Sequence, residues 1–481
     1  MQKLFLFTAL WISASTGLLS AGSWPQFRGP NGLGLAEGGS PPVYFGPGSN
    51  LLWKVELSAG NSSPCIWGDR VFLTAFDGSK LETLCLARKD GRILWRQTAP
   101  AARFEPTHRL GSPATPTPAT DGERVYVYFG SFGLLAYDLA GQEQWRKPLG
   151  MPMVEFGAAA SPVLAHGLLL QVCDQDEGSF LLAVDALSGK TAWKTERAEF
   201  RRSFATPLVW RHAGVEELVV PGSIWLKSYN LKDGTERWTF SGTSRVACSS
   251  PVAGGDLLFS ASWNVGGDSE SRVTMPPFEE MARDHDLDKN GTLTAHEIPA
   301  GPVRERFTQM DLNKDGIVTP VEWELMRAMF AKAGNAVLAI RSGGAGDITA
   351  SHLAWKSTRS LPYVSSPLYH QGRLYTVKNG GLASCYEATT GKAFYQDERL
   401  GATGDYYSSA VAARDRIYLV SESGVVLVLA AGDRLNVLAR NDLGEAVMAT
   451  PAIADGILYV RSAKHLHAFQ QRWPEHARVE E

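Results

Sequence analysis

Residues 183–193, Ala-Val-Asp-Ala-Leu-Ser-Gly-Lys-Thr-Ala-Trp, decide the fold of this chain. They predict a strand that ends in Ala-x-Asp, a tight turn at Ser188-Gly189 and a return strand that carries a large ring. Glycine adopts the positive φ that such a turn needs, and Trp193 has the surface to bury against a neighbouring sheet. Because a unit of this size is not stable alone, we expect it to be one of a repeated series.

Two features do recur in step along the chain. One is a serine or threonine followed by proline, with a hydrophobic strand beginning near the seventh residue after it. The prolines are Pro64, Pro118, Pro162, Pro207, Pro251, Pro367 and Pro451, and Ala410 stands at the equivalent position of one further copy. The other feature is the ring, at Trp53, Trp95, Trp145, Trp193, Trp238, Trp355 and Tyr395, with Leu438 in its place in the last copy. These positions predict eight repeats.

Each repeat contains four short predicted strands separated by turn residues, which is the content of one β-propeller blade. In the third repeat these strands are residues 161–163, 168–172, 181–185 and 191–194. An array of β-sandwiches is the alternative, but it leaves many sheet edges to cover, whereas a closed ring removes most of them. Residues 51–57 precede the first repeat and are predicted to complete the last blade. The predicted fold is therefore all-β, an eight-bladed propeller of four-stranded blades.

The motif Ala-x-Asp-x-x-(Ser/Thr)-Gly-x-x-x-Trp resembles the tryptophan-docking repeat of pyrroloquinoline-quinone-type propellers. That group includes quinoprotein dehydrogenases and an eight-bladed outer-membrane assembly factor. Residues 24–30, Trp-Pro-Gln-Phe-Arg-Gly-Pro, are similar to the start of secreted bacterial members. The resemblance extends over residues 24–473 apart from one insertion. It implies the propeller fold and two kinds of activity, quinone-dependent oxidation or protein assembly, between which the fold does not choose.

Composition excludes several classes of partner and site. The chain has 47 Lys and Arg against 50 Asp and Glu, a net charge of −3, so no basic excess indicates nucleic acid and no polybasic run indicates a membrane surface. The five cysteines are scattered singly, without a Cys-x-x-Cys pair, which disfavours a disulfide framework, a zinc site and a haem site. We expect buried thiols and a monomer.

The N-terminus has the pattern of a secretory signal peptide in residues 1–21: an early lysine, an apolar run over residues 4–12 and small residues after it. A membrane anchor is the alternative, but the apolar run is shorter than the roughly 20 residues that a span requires. No cysteine follows the run, so a lipid anchor is not expected. These features predict a periplasmic or secreted protein without a membrane span.

The repeat is interrupted once, because Pro251 and Pro367 are 116 residues apart whereas the other intervals are 41 to 54. The excess is assigned to residues 266–334, an insertion between the second and third strands of the fifth blade. The predicted divisions are a signal peptide at 1–21, propeller at 22–265 and 335–473, the insertion at 266–334, and a tail at 474–481. An insertion at this place lies on the propeller face that also carries the blade-to-blade connections, where it could partly cover the channel.

Two twelve-residue loops in the insertion, residues 286–297 and 311–322, match the EF-hand pattern. Ca²⁺ is a hard cation that takes about seven oxygen ligands, and this spacing directs carboxylate, amide and carbonyl oxygens inward around a turn at glycine. The predicted calcium ligands are Asp286, Asp288, Asn290, Thr292, Thr294 and Glu297 in the first loop, and Asp311, Asn313, Asp315, Ile317, Thr319 and Glu322 in the second. Leu293 and Val318 are predicted to pair the loops. The alternative is a pair of acidic loops that bind no metal.

The connections that lead into the first strand of each blade carry polar side chains that could converge on the axis. The candidates for a ligand site at the channel mouth are Arg109, Glu155, Arg201, Arg245 and Tyr406; His108, Arg202, Tyr363, Asp405 and Glu445 lie in the same connections. The alternative is that these are solvated loop residues and ion pairs between blades.

Motifs of covalent catalysis, metalloproteases and phosphate loops are absent from the sequence. It also lacks the adjacent cysteine pair and the haem motif of some alcohol-oxidising quinoproteins. The favoured function is a calcium-binding extracytoplasmic propeller that acts as a non-enzymatic binding or scaffold protein, with a protein or polymer partner on the face that bears the insertion. The alternative is a pyrroloquinoline-quinone-dependent oxidoreductase of alcohols or sugars, so two Ca²⁺ ions are the expected cofactors and the quinone is less favoured. Calcium is expected to be structural; a sensor that opens a methionine-lined groove is the alternative.

Overall fold

The computed structural model describes residues 22–265, 267–268 and 273–472. The predicted signal peptide and the predicted tail lie outside those residues. Among the described residues, eight sheets form the propeller, each with four antiparallel strands. In seven of them these four strands are hydrogen-bonded in the order in which they follow one another along the chain. In the eighth, the first strand of the described chain joins the last three. The first strands of neighbouring sheets adjoin, so they lie nearest the axis. The prediction of an all-β, eight-bladed propeller with four-stranded blades is confirmed.

The first four blades contain the following strands: Cys65–Trp67, Arg70–Phe76, Leu81–Ala87 and Ile93–Thr98 in blade one; Ala119–Thr120, Arg124–Phe129, Gly133–Asp138 and Glu143–Pro148 in blade two; Val163–Ala165, Leu168–Cys173, Phe180–Asp185 and Thr191–Glu196 in blade three; Leu208–His212, Val215–Pro221, Trp225–Tyr229 and Glu236–Ser241 in blade four. The strands predicted for blade three agree with these to within two residues.

The other four blades contain Val252–Gly254, Leu257–Ser262, Ala336–Arg341 and Leu353–Ser357 in blade five; Leu368–His370, Arg373–Lys378, Leu382–Glu387 and Ala393–Arg399 in blade six; Val411–Ala413, Arg416–Val420, Val425–Ala430 and Val437–Asp442 in blade seven; and Ala452–Ala454, Ile457–Arg461, His465–Gln470 and Leu51–Glu56 in blade eight.

The ring closes through blade eight, where Leu51–Glu56 pairs antiparallel with His465–Gln470. This confirms the predicted closure by residues from both ends of the propeller, because the first and last strands of the ring share one sheet. The side chain of Glu445, in the connection from blade seven to blade eight, accepts hydrogen bonds from Lys54 on the closing strand (2.9 Å) and from His465 and Ser462. Burial by itself would raise the pKa of Glu445, but these hydrogen bonds outweigh it and lower the pKa to about 2.

The repeated tryptophan joins five of the eight blades to the next one. The indole N–H groups of Trp53, Trp95, Trp145, Trp193 and Trp355 donate to a backbone carbonyl of the following blade over 2.8–3.0 Å. The ring also lies against the glycine of the next blade's turn. Gly189 has φ +69°, and a Cβ atom there would come within 2.6 Å of the Trp145 ring. Glycine is therefore required at this turn both by the backbone conformation and by the close approach of the ring.

Trp238 is an exception that the repeat pattern did not reveal. Its indole N–H donates to the buried carboxylate of Glu217 in its own blade (3.1 Å) instead of to blade five. The connection between the third and fourth strands of blade five is long and contributes an extra strand, Gly346–Asp347, which pairs in parallel with blade four beside Trp238. A strand thus replaces the glycine turn that would have received the indole.

The repeated serine or threonine before proline links the blades close to the axis. Its side-chain oxygen accepts a hydrogen bond from the backbone N–H of the equivalent residue in the preceding blade, over 2.9–3.0 Å. We call the set of eight side chains the hydroxyl ring, and it consists of Ser63, Thr117, Ser161, Thr206, Ser250, Ser366, Ser409 and Thr450. Seven such bonds lead from the first member round to the last.

Candidate functional site

Three short helices interrupt blade five, between its second strand, Leu257–Ser262, and its third, Ala336–Arg341. They are α1 (Phe278–His285), α2 (Phe307–Met310) and α3 (Pro320–Lys332). The segment has a hydrophobic cluster of its own, formed by Val273, Met275, Phe278, Leu293, Ile298, Met310, Val318, Trp323, Met326 and Phe330. It is therefore packed as a small unit and not as an extended loop.

The loop that follows α1 is organised by two carboxylates. Asp286 accepts hydrogen bonds from the backbone N–H groups of Asn290 (3.2 Å) and Gly291 (2.9 Å). Glu297 accepts from the backbone N–H groups of Leu287 (3.0 Å) and Thr294 (2.8 Å). Hydrogen bonds to the charged form stabilise it, and those from Thr294 lower the pKa of Glu297. Both carboxylates are therefore held in place at the ends of the loop.

The loop that follows α2 repeats this arrangement at the equivalent positions. Asp311 accepts from the backbone N–H groups of Asp315 (3.1 Å) and Gly316 (3.0 Å). Glu322 accepts from the backbone N–H groups of Leu312 and Thr319, both over 2.8 Å. The two loops thus have the same internal hydrogen-bond pattern, although their sequences differ at half of their positions.

The two loops also contact each other as predicted. Leu293–Thr294 and Ile317–Val318 form a short antiparallel pair, in which Leu293 lies opposite Val318. Both side chains are fully buried. The pairing fixes the loops side by side.

The donor atoms of the loops fit a calcium ion. One carboxylate oxygen from each of Asp286, Asp288 and Glu297 lies within 4.8 Å of the others. The second loop also has three carboxylates, those of Asp311, Asp315 and Glu322, and it has the amide of Asn313 at its third position. Gly291 has φ +78°, in the region that permits the sharp turn at the sixth position. The ligand set offers oxygen alone, which suits Ca²⁺ better than zinc or copper.

A cavity of about 580 Å³ lies at the channel mouth. All eight members of the hydroxyl ring line it, and so do Glu305, Arg306 and Gln309 from the segment that contains α2. The inserted segment therefore covers part of the channel mouth, as its place in blade five predicts.

Arg245, in the connection between blades four and five, lines the cavity. Its guanidinium donates to the side-chain oxygens of Gln309 (2.7 Å) and Asn264 (2.8 Å). The ring of Phe330, on α3, lies 5.2 Å from the Arg245 guanidinium carbon and 5.9 Å from that of Arg306. These contacts join the propeller to the inserted helices.

Arg202 lines the cavity beside Arg245 and belongs to a buried ion-pair group. It donates to Asp176 (2.9 Å) and to Glu155 (3.3 Å). Its guanidinium carbon lies 5.5 Å from the ring of Phe156, another residue of the cavity wall. Arg201 is buried behind Arg202. The carboxylate oxygen nearest to the Arg201 guanidinium belongs to Asp176 and lies 4.0 Å away.

Of the five channel-mouth candidates, Arg245 alone lines the cavity. Glu155 and Arg201 belong to the ion-pair group behind the wall, as just described. Arg109 is exposed, and its neighbours His108 and Leu110 line the cavity instead.

Tyr406 was wrongly placed at the channel mouth. It is buried in the core between blades six and seven, where its hydroxyl donates to the carbonyl of Ala402 over 2.9 Å. Tyr407 lines the cavity in its place. Consecutive side chains of an extended segment point to opposite sides. A prediction that is wrong by one residue therefore selects a side chain of the core instead of one at the cavity. Sequence reasoning also missed Arg306 and Gln309, because the spacing of the repeat says nothing about where an insertion folds back.

The residues of the cavity wall do not suit a quinone that is bound together with a metal ion. Among the described residues, Glu305 is the only carboxylate that lines the cavity, so a hard cation there would lack the charged oxygen ligands that it prefers. Cys248 is the only cysteine of the described wall. Arginines would suit the acid groups of the quinone. The wall therefore fits an anion better than a quinone and metal together.

Comparison with known proteins gives a partial match in sequence. A family model described as outer membrane protein assembly factor BamB matches residues 47–206, the closing strand and the first three blades. A polyvinylalcohol dehydrogenase from Pseudomonas sp is 29% identical over 201 residues, which are 37% of this chain and 29% of that protein. The match thus spans less than a third of the length of the curated relative.

Solved structures share the fold at low sequence identity. BamB from Moraxella catarrhalis has a TM-score of 0.55 at 13% identity, over 88% of this chain and 99% of its own. A europium-containing methanol dehydrogenase has a TM-score of 0.57 at 10% identity, over 94% and 99%. A quinohemoprotein alcohol dehydrogenase from Pseudomonas putida HK5 has a TM-score of 0.54 at 13% identity, over 95% and 82%. At these identities the likeness shows the propeller and leaves the function open.

In the described residues no helix is long and apolar enough to cross a membrane.

Proposed function

We propose that this protein is a calcium-binding, extracytoplasmic β-propeller that works as a binding or scaffold protein, with residues 266–334 as an inserted EF-hand pair and residues 22–265 and 335–473 as the propeller. One observation carries the calcium assignment: both loops hold their first and twelfth carboxylates by the same four backbone hydrogen bonds. Chance acidic turns have no reason to repeat that pattern.

Each loop would hold one ion with six residues. Side-chain oxygens come from the first, third, fifth and twelfth positions, a backbone carbonyl from the seventh, and the ninth holds a water. The first site consists of Asp286, Asp288, Asn290, Thr292, Thr294 and Glu297, and the second of Asp311, Asn313, Asp315, Ile317, Thr319 and Glu322. Because α2 precedes the second loop and α3 follows it, calcium there would fix the two helices whose residues contact Arg245.

A structural role for calcium is favoured over a sensor role because extracytoplasmic calcium is abundant enough to occupy sites of modest affinity. Met310 and Met326 are fully buried in the cluster between the helices, and Met329 is nearly so. A sensor presents such side chains in an open groove when calcium is bound. Calcium in a sensor would therefore expose these methionines, whereas a structural ion would leave them packed and hold the segment over the channel mouth.

An extracytoplasmic location and a protein partner are supported by the family match, since the matched model is that of an outer membrane assembly factor. The face that carries the inserted helices is the proposed contact surface, because it combines the channel mouth with the loops between blades. The signal-peptide pattern of residues 1–21 agrees with this location.

Replacing Glu297 and Glu322 together by glutamine is expected to weaken calcium binding at least tenfold, because each loop loses the charge of its bidentate ligand. Calorimetric titration measures the affinity, and the fluorescence of Trp323, buried in the inserted segment, reports its packing. The far-ultraviolet signal of the propeller should not change. Glu280→Gln is the control, since Glu280 is an exposed residue of α1 outside both loops. Undiminished calcium binding in the double variant would show that the ligand assignment is wrong.

The second candidate is a quinone-dependent oxidoreductase, which the match to polyvinylalcohol dehydrogenase favours. When bound, the quinone would supply the electron acceptor for oxidation of an alcohol. The purified protein is mixed with pyrroloquinoline quinone and Ca²⁺, passed through gel filtration and assayed for dye reduction with alcohols and sugars. We expect neither retained quinone absorbance nor dye reduction. Retained quinone that turns over would overturn the scaffold proposal.

A further inference from the structure

We propose that the cavity under the inserted helices is a binding site for a small organic anion with two or more carboxylate or phosphate groups. The inference rests on the proposed role as a binding protein and names the class of its ligand. It is independent of whether the loops bind calcium.

The charge of the cavity wall is the first argument. Arg202, Arg245 and Arg306 line it, and among the described residues Glu305 is the one carboxylate that does so. The Glu305 side chain is largely exposed and lies 3.9 Å from the Arg306 guanidinium. Asp176 and Glu155 offset the charge of Arg202 from behind the wall, and Glu305 lies beside Arg306. Arg245 therefore leaves a positive excess that is focused in a concave space, which raises the local concentration of anions.

Arg245 is the centre of that excess. Its two described partners, Gln309 and Asn264, are neutral amides, and no carboxylate of the described residues pairs with it. Its Nε–H is buried and has no hydrogen-bond partner among those residues. Burial, together with the nearby arginines, lowers the pKa of Arg245 to about 10. A bound oxyanion would supply the missing countercharge and accept from the fork of donors.

The hydroxyl ring is a second and independent argument. A serine or threonine hydroxyl has one hydrogen to donate besides the lone pairs with which it accepts. Seven members of the ring already accept a backbone N–H, and within the described residues none of the eight donates to another group. Their O–H groups are thus available as donors at the cavity wall. Guanidinium groups near the inserted helices and hydroxyls around the axis together make a space rich in donors.

The size and the apolar surface of the cavity further restrict the class of ligand. A volume of about 580 Å³ lies within the range of sites for small organic molecules. Phe27, Phe156 and Phe204 also line the cavity, so the wall offers apolar contact besides its donors. A compact molecule with a carbon framework and several oxyanions fits better than a lone inorganic ion.

Calorimetric titration in low salt with Ca²⁺ in excess tests the proposal on the full-length protein. The probes are benzene-1,3,5-tricarboxylate, fructose 1,6-bisphosphate and the uncharged benzene-1,3,5-tricarboxamide. We expect at least one anion to bind with a dissociation constant below about 1 mM, more weakly as salt is added, and the tricarboxamide not to bind. Binding by the tricarboxylate alone would indicate a carboxylate ligand, and by the bisphosphate alone a phosphate ester.

Arg245→Gln and Arg306→Gln are each expected to weaken binding about tenfold or more, because each removes a charged donor. Arg146→Gln is the matched control, since Arg146 is exposed and pairs with Glu143 on an outer strand of blade two. It should bind as the unmodified protein does. If Arg245→Gln fails to fold, Arg306→Gln carries the test, because Arg306 lies outside the blades.

The proposal is overturned if neither anion binds the unmodified protein, if the tricarboxamide binds as tightly as the acid, or if both arginine variants bind like the control. These results are separable from a failure of the proposed function. Loss of calcium binding is measured in another titration and does not change the meaning of the anion result. The quinone has acid groups, so its retention without turnover would count as anion binding, and only its turnover would overturn the scaffold proposal.

Discussion

Replacing Gly189 by alanine is expected to destabilise the protein by about 2–5 kcal/mol. Gly189 has φ +69°, a conformation that costs an L-residue about 1–2 kcal/mol. The added Cβ would also lie 2.6 Å from the Trp145 ring, so the ring must shift and weaken its 2.9 Å hydrogen bond to the Ala186 carbonyl. Overpacking of this kind typically costs a further 1–3 kcal/mol, as a rough range. Urea unfolding followed by circular dichroism measures the change.

The matched control for this variant is Gly167→Ala in the same blade. Gly167 has φ +74°, but nothing lies within 4 Å of a Cβ built on it. It therefore carries the backbone strain without the collision, and its loss should be about 1–2 kcal/mol. Equal losses at Gly167 and Gly189 would mean that the docking of Trp145 adds nothing to stability.

Replacing Arg197 by leucine is expected to destabilise the protein by about 3–5 kcal/mol, since it leaves a buried charge without its partner. The Arg197 and Asp174 side chains are both inaccessible to solvent, and two hydrogen bonds of 2.8 and 2.9 Å join them. Arg197 also donates to the Tyr229 hydroxyl in blade four, and its guanidinium carbon lies 3.8 Å from the Phe200 ring. The residue thus links blade three to blade four.

Two further variants separate the buried charge from lost packing. The double variant Arg197→Leu with Asp174→Leu removes both charges, so it should recover part of the loss in the free energy of unfolding. Arg146→Leu breaks an exposed ion pair and should change stability by no more than about 1 kcal/mol. If the double variant is no more stable than Arg197→Leu, packing and not the unpaired Asp174 carboxylate accounts for the effect.

The repeat could be predicted from the sequence because its residues act locally. The turn needs glycine at position 189, a ring is buried at Trp193, and Ser161 and its equivalents precede the first strand of a blade. Each of these needs recurs from blade to blade, so the residue type that meets it recurs at a regular interval. The two proposed calcium loops could be predicted for the same reason, since twelve consecutive residues would supply every ligand of one ion. Even the contact of Leu293 with Val318 follows from the position of each residue in its loop.

The purpose of these residues within the ring was not evident from the sequence. The serine and threonine of the repeat turn out to accept a backbone N–H from the blade before, and Gly189 turns out to receive the ring of Trp145, 44 residues earlier. Trp238 has the same residue type and the same spacing as its counterparts, yet it bonds to Glu217 because an added strand occupies the docking place.

The sequence by itself therefore determined the number of blades, their strands and the closure of the ring, because all of these depend on neighbouring residues or on a constant period. It also predicts the ligand sets of the two loops, because each set lies within twelve consecutive residues. The tertiary structure alone decided the cavity. Arg202, Arg245 and Arg306 come from two different connections and from the insertion, and no period relates them. Their convergence depends on how the inserted helices pack back over the channel mouth, which is a long-range contact that leaves no local pattern in the chain.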